Sequence, residues 1–199
     1  MRYPKLRELK EAIKALIKGP YTTRFPKEPH VPFERFRGRP EFHEEDCTGC
    51  GACVNVCPSG ALSMKDDGDK RVLVVRWDIC IYCGQCQANC LTEKGIILSN
   101  KFDFATTGKR QDLKQEIEKE LVICQGCGEI IAPYDQIIWV AKKIGPLTFS
   151  NPSLMLFYLK SQKLSFDETE IKPEEKEFQR ADRIKVLCPR CRREAVVKS

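Results

Sequence analysis

Residues 4–18 arrange hydrophobic and polar positions with the period of an α-helix. Leucine and isoleucine recur along one side, while lysine and arginine line the opposite side. The apolar positions are Leu6, Leu9, Ile13, Leu16 and Ile17. Gly19 and Pro20 end the pattern, because neither residue continues a helix easily. The sequence therefore predicts an amphipathic helix that suits an anionic membrane surface, a partner subunit or the chain's own core.

Shorter patterns follow this helix. Residues 21–42 are rich in proline and arginine without periodicity, and they predict an extended arm. Two short apolar runs lie at 60–64 and 95–99. A turn is predicted at 66–69, and it leads into a strand near 72–76. Short strands with short connections indicate an α+β arrangement for this part of the chain.

Beyond residue 100 the pattern favours helices. A charged helix is predicted near 111–121. Two more helices are predicted at 133–144 and 151–162, the latter with Asn151 as its N-cap. Residues 165–182 are dense in charge and predict an exposed connection.

Eight of the cysteines form two copies of one spacing, C-x2-C-x2-C-x3-C, which lie 33 residues apart. The first copy is Cys47, Cys50, Cys53 and Cys57, and the second is Cys80, Cys83, Cys86 and Cys90. Thiols this close along the chain converge on one centre more readily than they join distant segments by disulfides. Zinc binding or coincidence is the alternative, but two copies with identical spacing favour the bacterial-type iron-sulfur run.

In that run, the fourth cysteine of each copy binds the cluster of the other copy. The predicted ligands are Cys47, Cys50, Cys53 and Cys90 for the first 4Fe-4S cluster, and Cys57, Cys80, Cys83 and Cys86 for the second. We expect the third and fourth cysteines of each copy to lie on a short helix. Gly49, Gly51 and Gly84 are expected to let backbone amides approach the sulfurs.

The last four cysteines form two C-x2-C pairs in the tail. They are Cys124, Cys127, Cys188 and Cys191. Two such pairs are the usual halves of a tetrahedral four-cysteine site, whose commonest occupant is zinc. A mononuclear iron site of the rubredoxin type has the same ligands, and free or disulfide-linked thiols are the third alternative. We predict a structural zinc, because four ligands leave no open position for a substrate.

These elements together predict an α+β fold. It consists of a bacterial dicluster ferredoxin-like domain, an N-terminal amphipathic helix with an extended arm, and a small C-terminal zinc-ribbon-like helical domain. The predicted boundaries are 1–40 for the helix and docking arm, 41–100 for the dicluster domain, and 101–199 for the four-cysteine domain with its helical insert.

Composition narrows the class of protein. Twelve cysteines in 199 residues would suggest a disulfide framework in a small secreted chain, but the start of the chain has no apolar run of the signal-peptide type. We therefore expect a reducing compartment, in which clustered cysteines bind metal. No run approaches the 18 or so apolar residues that a membrane-spanning helix needs, so any membrane contact is expected to be peripheral.

The net charge of +6 raises the question of nucleic-acid binding. Of the 34 basic and 28 acidic residues, eleven and five lie in residues 1–42, which leaves 23 of each elsewhere. Three four-thiolate metal sites of about −2 each would bring the loaded protein close to neutrality. The charge is therefore weak evidence for nucleic acid, and we predict no nucleic-acid partner.

The sequence contains no recognisable catalytic arrangement. His30 and His43 are the only histidines, and neither lies in a pattern with a nucleophile and a carboxylate. Trp77 and Tyr82 flank Cys80 and are expected to shield the second cluster from water. We predict an electron-transfer protein without a catalytic centre of its own.

The helix, the arm segments YTTRFPKEP and RFRGRPEF, and the two crossed motifs together resemble the dicluster ferredoxin subunit of respiratory complex I and of related membrane-bound NiFe hydrogenases. This likeness covers residues 1–100. The two C-x2-C pairs of the tail narrow it, because that addition looks like the iron-sulfur subunit of formate hydrogenlyase and related complexes. By analogy, Arg35, Arg37 and Arg39 look like docking residues.

The resemblance implies partners and a location. The expected partners are the hydrogenase large and small subunits, membrane-arm subunits, and an upstream donor subunit or ferredoxin. The expected location is peripheral, on the cytoplasmic side of the cell membrane. Two alternatives remain at this point: a free, soluble dicluster ferredoxin, and a zinc-knuckle nucleic-acid-binding protein in which the clusters are structural.

Overall fold

The computed structural model describes residues 5–19, 22–164 and 185–197. The chain divides into two compact units, Met1–Phe36 and Arg37–Ser199. The predicted charged connection at residues 165–182 lies outside the described residues. The domain boundaries predicted after residues 40 and 100 stay predictions.

In the first unit, helix α1 spans Leu6–Lys18, which confirms the helix predicted from periodicity. The Glu8 carboxylate caps its first turn by accepting the N–H of Lys5 at 3.2 Å. At the other end, Gly19 adopts a φ of 75° and its N–H donates to the Ala15 carbonyl at 2.9 Å. No residue of α1 is buried, and its leucines and isoleucines are between 50% and 87% exposed.

Two antiparallel sheets form the framework of the second unit. In the smaller sheet, β1 (Pro40–Phe42) pairs with β4 (Ile96–Leu98). The larger sheet contains β2 (Leu62–Asp67), β3 (Lys70–Arg76), β5 (Lys114–Ile123) and β6 (Ile130–Pro133), in the order β2-β3-β5-β6. The strand predicted near 72–76 is confirmed, and the turn before it contains Gly68 with a φ of 60°.

The charged helix predicted near 111–121 is wrong, because this segment forms β5. Its glutamates and lysines favour a helix by propensity. In the structure, Ile117, Lys119 and Leu121 are buried at every second position, and β3 pairs with β5 from Lys70↔Glu120 to Arg76↔Lys114. The inward-facing lysine conceals the period of two in the sequence, and pairing with β3 outweighs the local preference.

A short helix forms around the third cysteine of each motif. Helix α2 is Ala52–Asn55 and helix α3 is Gln85–Ala88. Cys53 lies on α2 and Cys86 on α3, as predicted. The fourth cysteines, Cys57 and Cys90, follow these helices and lie outside them, so that part of the prediction is wrong.

The main core joins both cysteine motifs to both sheets. Its most buried members are Leu73 and Val75 of β3, which are 0% exposed, and Ile96 of β4, which is 2% exposed. Ile117 of β5 packs into the same cluster, together with Cys53 and Cys86. Burial of large aliphatic side chains is the main driving force for folding. A strand from beyond residue 100 therefore helps to enclose the cysteine motifs.

The two helices predicted in the tail are confirmed. Helix α4 spans Tyr134–Ile144 and helix α5 spans Pro152–Ser161. Asn151 caps α5, because its side-chain oxygen accepts the N–H groups of Ser153 at 3.1 Å and Leu154 at 3.4 Å. Helix α6 (Pro189–Val197) carries the last cysteine. Within the described ranges, no helix is long and apolar enough to cross a bilayer.

Candidate metal centres

Glycines shape the loop of the first cysteine motif. Gly49 and Gly51 adopt φ angles of 69° and 77°, which other residues rarely adopt. Burial raises the pKa of the Cys47 thiol, and the Gly49 N–H acts in the opposite direction. The expected approach of a backbone amide to a sulfur stays a prediction for the glycines of this loop. Gly51 directly precedes α2 and so fixes where that helix starts.

The thiols of the first motif share their surroundings with two cysteines of the second motif, Cys86 and Cys90. Burial, followed by the nearby thiols of Cys47, Cys50, Cys86 and Cys90, raises the pKa of Cys53 to about 12. Cys50 and Cys90 likewise raise the pKa of Cys47. Cys90 therefore lies near Cys47 and Cys53 of the other copy.

The reciprocal arrangement is present at the second motif. Burial raises the pKa of Cys80, the N–H of Tyr82 lowers it from 3.4 Å, and the thiols of Cys57 and Cys83 raise it. Burial raises the pKa of Cys86 to about 11, with Cys80 and Cys83 adding to the effect. Each fourth cysteine thus lies with the first cysteines of the opposite copy, as crossed ligation requires. The ligand sets themselves stay a prediction.

The fourth cysteines are the ones with lowered pKa values. Burial alone would raise the pKa of Cys57, but backbone N–H groups, beginning with that of Leu62, and the hydroxyl of Ser59 lower it. At Cys90, the hydroxyl and the backbone N–H of Thr92 likewise lower a pKa that burial alone would raise. The hydroxyl oxygens lie 3.7 Å from the Cys57 sulfur and 3.5 Å from the Cys90 sulfur. Donors around a sulfur favour its thiolate form, which is the form that binds metal.

Sequence reasoning missed both hydroxyls, although a signal for them was present. Ser59 and Thr92 each follow the fourth cysteine by two positions, and they are related by the same offset of 33 residues as the cysteines. Extending the comparison of the two copies beyond the last cysteine would have identified them.

Two arginines donate to the motif loops. Arg71 Nη1 donates to the Gly49 carbonyl at 3.1 Å, while its Nε and Nη2 bind both carboxylate oxygens of Asp66 at 2.6 and 2.8 Å. Arg37 Nη1 donates to the Cys83 carbonyl at 3.3 Å. No pattern in the sequence indicates the role of Arg71, because it depends on the register of the β2–β3 hairpin. Arg37, which we predicted to be a docking residue, has an internal partner.

The other predicted docking arginines differ from each other in exposure. Arg35 is exposed. Arg39 is half-buried, with Nε donating to Glu41 at 2.6 Å and its guanidinium 4.4 Å from the centre of the Trp77 ring. That ring in turn donates its Nε1–H to the Pro40 carbonyl at 2.7 Å. Arg39 therefore packs on Trp77, three residues before the second motif, within the same unit.

Trp77 and Tyr82, which we predicted to shield the second cluster, contact each other beside the second motif. Tyr82 adopts a φ of 53°, stacks on Phe104 at 5.6 Å with an interplanar angle of 8°, and donates its hydroxyl hydrogen to the Trp77 carbonyl at 3.3 Å. Trp77 packs against the main core.

His43 is exposed, and its backbone carbonyl accepts the N–H of Cys47 at 2.9 Å.

The tail cysteines form a tighter group than the motif cysteines. The sulfurs of Cys124, Cys127, Cys188 and Cys191 all lie within 4.8 Å of one another, and this is the only such group of potential ligands among the described residues. The sulfurs of Cys127 and Cys188 are 3.7 Å apart. Four sulfurs about 2.3 Å from one tetrahedral ion lie about 3.8 Å from each other. The tail therefore fits a single ion.

Backbone N–H groups prepare these sulfurs for a cation. The N–H groups of Gly126 and Cys188 donate to the Cys124 sulfur at 3.4 and 3.2 Å. Burial raises the pKa of Cys124, but these donors outweigh it and lower the pKa to about 7. The pKa of Cys191 is raised, first by burial and then by the neighbouring thiols. Four crowded thiols of this kind are stable as thiolates only around a cation.

The wider spacing of the motif cysteines fits the predicted clusters. A 4Fe-4S cluster binds each thiolate through a different iron, so its ligands lie farther apart than those of a single ion. In the described part of the chain, no three of these eight sulfurs come as close together as the four in the tail. The crossed grouping of the thiols and their spacing both suit a pair of clusters.

A family model of the 4Fe-4S dicluster domain matches residues 30–94, which contain both motifs. The fold and the site thus define a protein with a 4Fe-4S dicluster domain. Iron-sulfur clusters are the cofactors that this domain carries, and the tail contains a four-cysteine group able to bind a metal.

Known proteins narrow the class. Formate hydrogenlyase subunit 6 of Escherichia coli (strain K12) is 37% identical over 127 residues, which cover 63% of this chain and 70% of that relative. NAD(P)H-quinone oxidoreductase subunit I of Gloeobacter violaceus is 34% identical over 80 residues, or 37% of this chain and 38% of that relative. The chain belongs to the family of electron-transfer subunits that includes formate hydrogenlyase subunit 6.

A solved structure also matches part of the chain. It is a chain of the membrane-bound sulfane sulfur reductase, an archaeal respiratory membrane complex. The match has 23% identity and a TM-score of 0.40, and it covers 57% of this chain and 62% of that one.

Proposed function

We propose that this chain relays single electrons through two 4Fe-4S clusters within a membrane-associated complex of the NiFe hydrogenase or formate hydrogenlyase type. The observation that carries the proposal is the reciprocal placement of the fourth cysteines, with Cys90 beside Cys47 and Cys53, and Cys57 beside Cys80. This arrangement holds two centres in one small core.

The proposed ligands follow the crossed pattern. They are Cys47, Cys50, Cys53 and Cys90 for the first cluster, and Cys57, Cys80, Cys83 and Cys86 for the second. When bound, each cluster accepts and releases one electron at a time. The chain's own residues bury the sulfurs, exclude water through the core around Leu73 and Val75, and donate hydrogen bonds to the sulfurs.

In the tail, the proposal assigns a structural zinc to Cys124, Cys127, Cys188 and Cys191. The separation of 3.7 Å between two of the sulfurs suits zinc and a single iron equally, since both bind four thiolates tetrahedrally. Zinc is the commoner occupant of two C-x2-C pairs. The proposed domains remain 1–40 for the helix and arm, 41–100 for the dicluster domain, and 101–199 for the four-cysteine domain.

The proposed partners are the hydrogenase large and small subunits, membrane-arm subunits, and an upstream electron donor subunit or ferredoxin. Both curated relatives are named as subunits of larger enzymes. The exposed apolar face of α1 supports a partner, because covering exposed leucine and isoleucine side chains lowers the free energy of the assembly. We place the chain on the cytoplasmic side of the membrane.

Metal and sulfide analysis of protein purified without oxygen tests the cofactors. The proposal requires about eight iron, eight sulfide and one zinc per chain. About nine iron without zinc would replace the structural zinc by an iron site. Iron well below eight in reconstituted protein would refute the two-cluster assignment.

Affinity purification of a tagged chain from its host under mild conditions tests the partners. We expect the chain to bring hydrogenase-type and membrane-arm subunits with it. Leu9→Glu with Ile13→Glu on the apolar face of α1 should release those subunits, whereas Lys10→Gln on the opposite face should not. A monomer that carries both clusters and no partners would favour the free, soluble ferredoxin instead.

A further inference from the structure

A buried lysine from β5 lies against the loop of the first cysteine motif. Lys119 is 8% exposed. A Cβ placed on Gly49 would lie 3.1 Å from both Cβ and Cγ of Lys119. The lysine stem therefore contacts the backbone between Cys47 and Cys50, two proposed ligands of the first cluster. No property of the sequence around residue 119 identified this contact.

The charged end of Lys119 is held in place by two acceptors. Its Nζ donates to the Asp135 carboxylate at 2.8 Å and to the backbone carbonyl of Glu44. Asp135 belongs to the first turn of α4, and its side chain is 47% exposed. Because the Asp135 side chain is 47% exposed and the Lys119 side chain only 8%, solvent screens the negative charge more than the positive one.

The field of this ammonium reaches the first motif. The Lys119 stem contacts Gly49, which lies between Cys47 and Cys50, and its Nζ donates to the Glu44 carbonyl, three residues before Cys47. A positive charge that favours a thiolate also favours any added negative charge at the same centre. Reduction of a cluster adds one electron, and hence one negative charge, so a nearby fixed cation favours the reduced state.

The second motif has different neighbours. The position of Gly49 is occupied in the second copy by Tyr82, whose ring stacks on Phe104 at 5.6 Å. At Gly84, an added Cβ would meet a methyl carbon of Leu98 at 3.3 Å. The arginine that donates to this loop, Arg37, is exposed to solvent. Arg39 is half-buried, but its charge is paired with Glu41 at 2.6 Å. Solvent therefore screens the positive charge of Arg37, and the Glu41 carboxylate neutralises that of Arg39.

We propose that the buried ammonium of Lys119 raises the reduction potential of the first cluster above that of the second, so that an electron entering the pair resides mainly on the first. This inference rests on the proposed ligand sets. Lys119 acts through its charge and is a positioning residue, not a ligand. The residue also connects the tail to electron transfer, since β5 leads directly to Cys124 of the four-cysteine group.

The test is a redox titration of the full-length, reconstituted chain, followed by electron paramagnetic resonance. Cys50→Ser and Cys83→Ser chains assign the two signals, because each alters one proposed ligand set. Lys119→Met should lower the first potential by about 59 mV, a tenfold change in the one-electron equilibrium. The second potential should stay nearly unchanged.

Three further variants separate charge from structure. Lys119→Arg keeps the charge and should restore most of the potential. Asp135→Asn removes the carboxylate paired with Lys119 and leaves the lysine itself unchanged. It should raise the potential of the first cluster, whereas Lys119→Met should lower it. Lys70→Met removes an exposed lysine that is paired with Glu118 on the same sheet, and it should shift neither potential.

Equal shifts from Lys119→Met and Lys70→Met, equal shifts of both clusters, or a lowered potential in Asp135→Asn would overturn the inference. Those outcomes leave the proposed function intact, because both clusters would still be present and reducible. Absence of two clusters from the unmodified, reconstituted chain would refute the proposed function itself.

Discussion

The loops of the two cysteine motifs have the same spacing but are enclosed by different parts of the chain. Gly49 in the first loop is buried between Lys119 of β5 and Pro133 at the end of β6. Gly84 in the second loop is only half-buried and lies against Leu98 of β4. The first loop therefore packs against β5 and β6, while the second packs against β4 and the ring of Phe104.

The repeated cysteine spacing determines the local backbone of each loop, but it does not determine which residues surround the loop. Positive-φ glycines, a short helix at the third cysteine and a hydroxyl two residues after the fourth recur in both copies. Burial, packing and local charge do not recur, because they come from β5 and β6 on one side only. Matched substitutions in the two copies should therefore have unequal effects.

The largest expected effect comes from the four-cysteine group, because it holds the strands that cover the first loop. Cys191→Ser removes a buried ligand of the proposed zinc. Structural zinc sites contribute about 10–16 kcal/mol of binding free energy in small peptides, so loss of the ion should lower the thermal midpoint by many degrees. Zinc per chain, measured by elemental analysis, should fall from about one to near zero.

The same variant should loosen the first motif more than the second. The hairpin of β5 and β6 has Cys124 and Cys127 at its turn and Lys119 and Pro133 along its strands. Iron release to a chelator should therefore become faster for the first cluster, with the second nearly unchanged. Equal acceleration of both clusters would mean that the tail does not act through this hairpin.

A smaller effect is expected from Gly49→Ala. A positive φ costs an alanine about 1–2 kcal/mol, and overpacking in a filled site costs about 1–3 kcal/mol. With Lys119 and Pro133 within 3.1 and 3.3 Å of the added Cβ, we expect a total near 3 kcal/mol. The thermal midpoint of the holoprotein should fall by roughly 6–12 °C.

Two other glycines supply the controls. Gly60→Ala should lose about 1 kcal/mol, because its φ is 64° but nothing lies within 4 Å of the added carbon. Gly84→Ala should fall between the two, since the Leu98 methyl at 3.3 Å is the end of a flexible side chain that can move. If all three variants lost the same stability, backbone strain alone would explain them and the enclosure of the first loop would be unimportant.

The motif copies were predictable because cysteine spacing is a local property of the sequence. So were α1, α4 and α5, whose periodicity and caps are read within one element. The strand β5 was not predictable in this way. Its glutamates and lysines favour a helix, and its identity depends on pairing with β3, about 44 residues earlier along the chain.

The residues that distinguish the two centres were missed for the same physical reason. Lys119 is buried only because β5 is a strand, and its ammonium is held there only because Asp135 and the Glu44 carbonyl converge on it from other elements. Arg71 reaches the Gly49 carbonyl only through the hairpin register. Such contacts depend on tertiary structure, whereas ligand spacing does not.

Removal of Arg71 should destabilise the protein by about 1–2 kcal/mol more than removal of Arg37. Arg71→Met leaves the buried Gly49 carbonyl without this donor and removes a two-point ion pair with Asp66, so we expect a loss of about 2 kcal/mol. Arg37→Met should lose under about 0.5 kcal/mol, because the exposed guanidinium makes one bond of 3.3 Å to Cys83. Thermal midpoints of the two holoproteins provide the comparison, and equal losses would remove the asymmetry at these loops.

The hydroxyls beside the fourth cysteines should produce the smallest effects and should be the most symmetric. Ser59→Ala and Thr92→Val each remove a donor near a sulfur of the opposite cluster's ligand set, at 3.7 and 3.5 Å. Hydrogen-bond donors to the ligand sulfurs stabilise the reduced cluster, because it carries more negative charge. Loss of one donor should therefore lower the potential of one cluster by about 30 mV, a threefold change in the one-electron equilibrium.

The two variants should differ in stability even though their potentials shift alike. The Thr92 hydroxyl also accepts the Gly95 N–H at 3.0 Å, so Thr92→Val should lose about 1 kcal/mol of stability in addition. By the crossed ligand sets, Ser59→Ala should shift the second cluster and Thr92→Val the first. If each variant shifted the cluster of its own motif instead, the fourth cysteines would not be exchanged between the copies, and the crossed assignment would have to be abandoned.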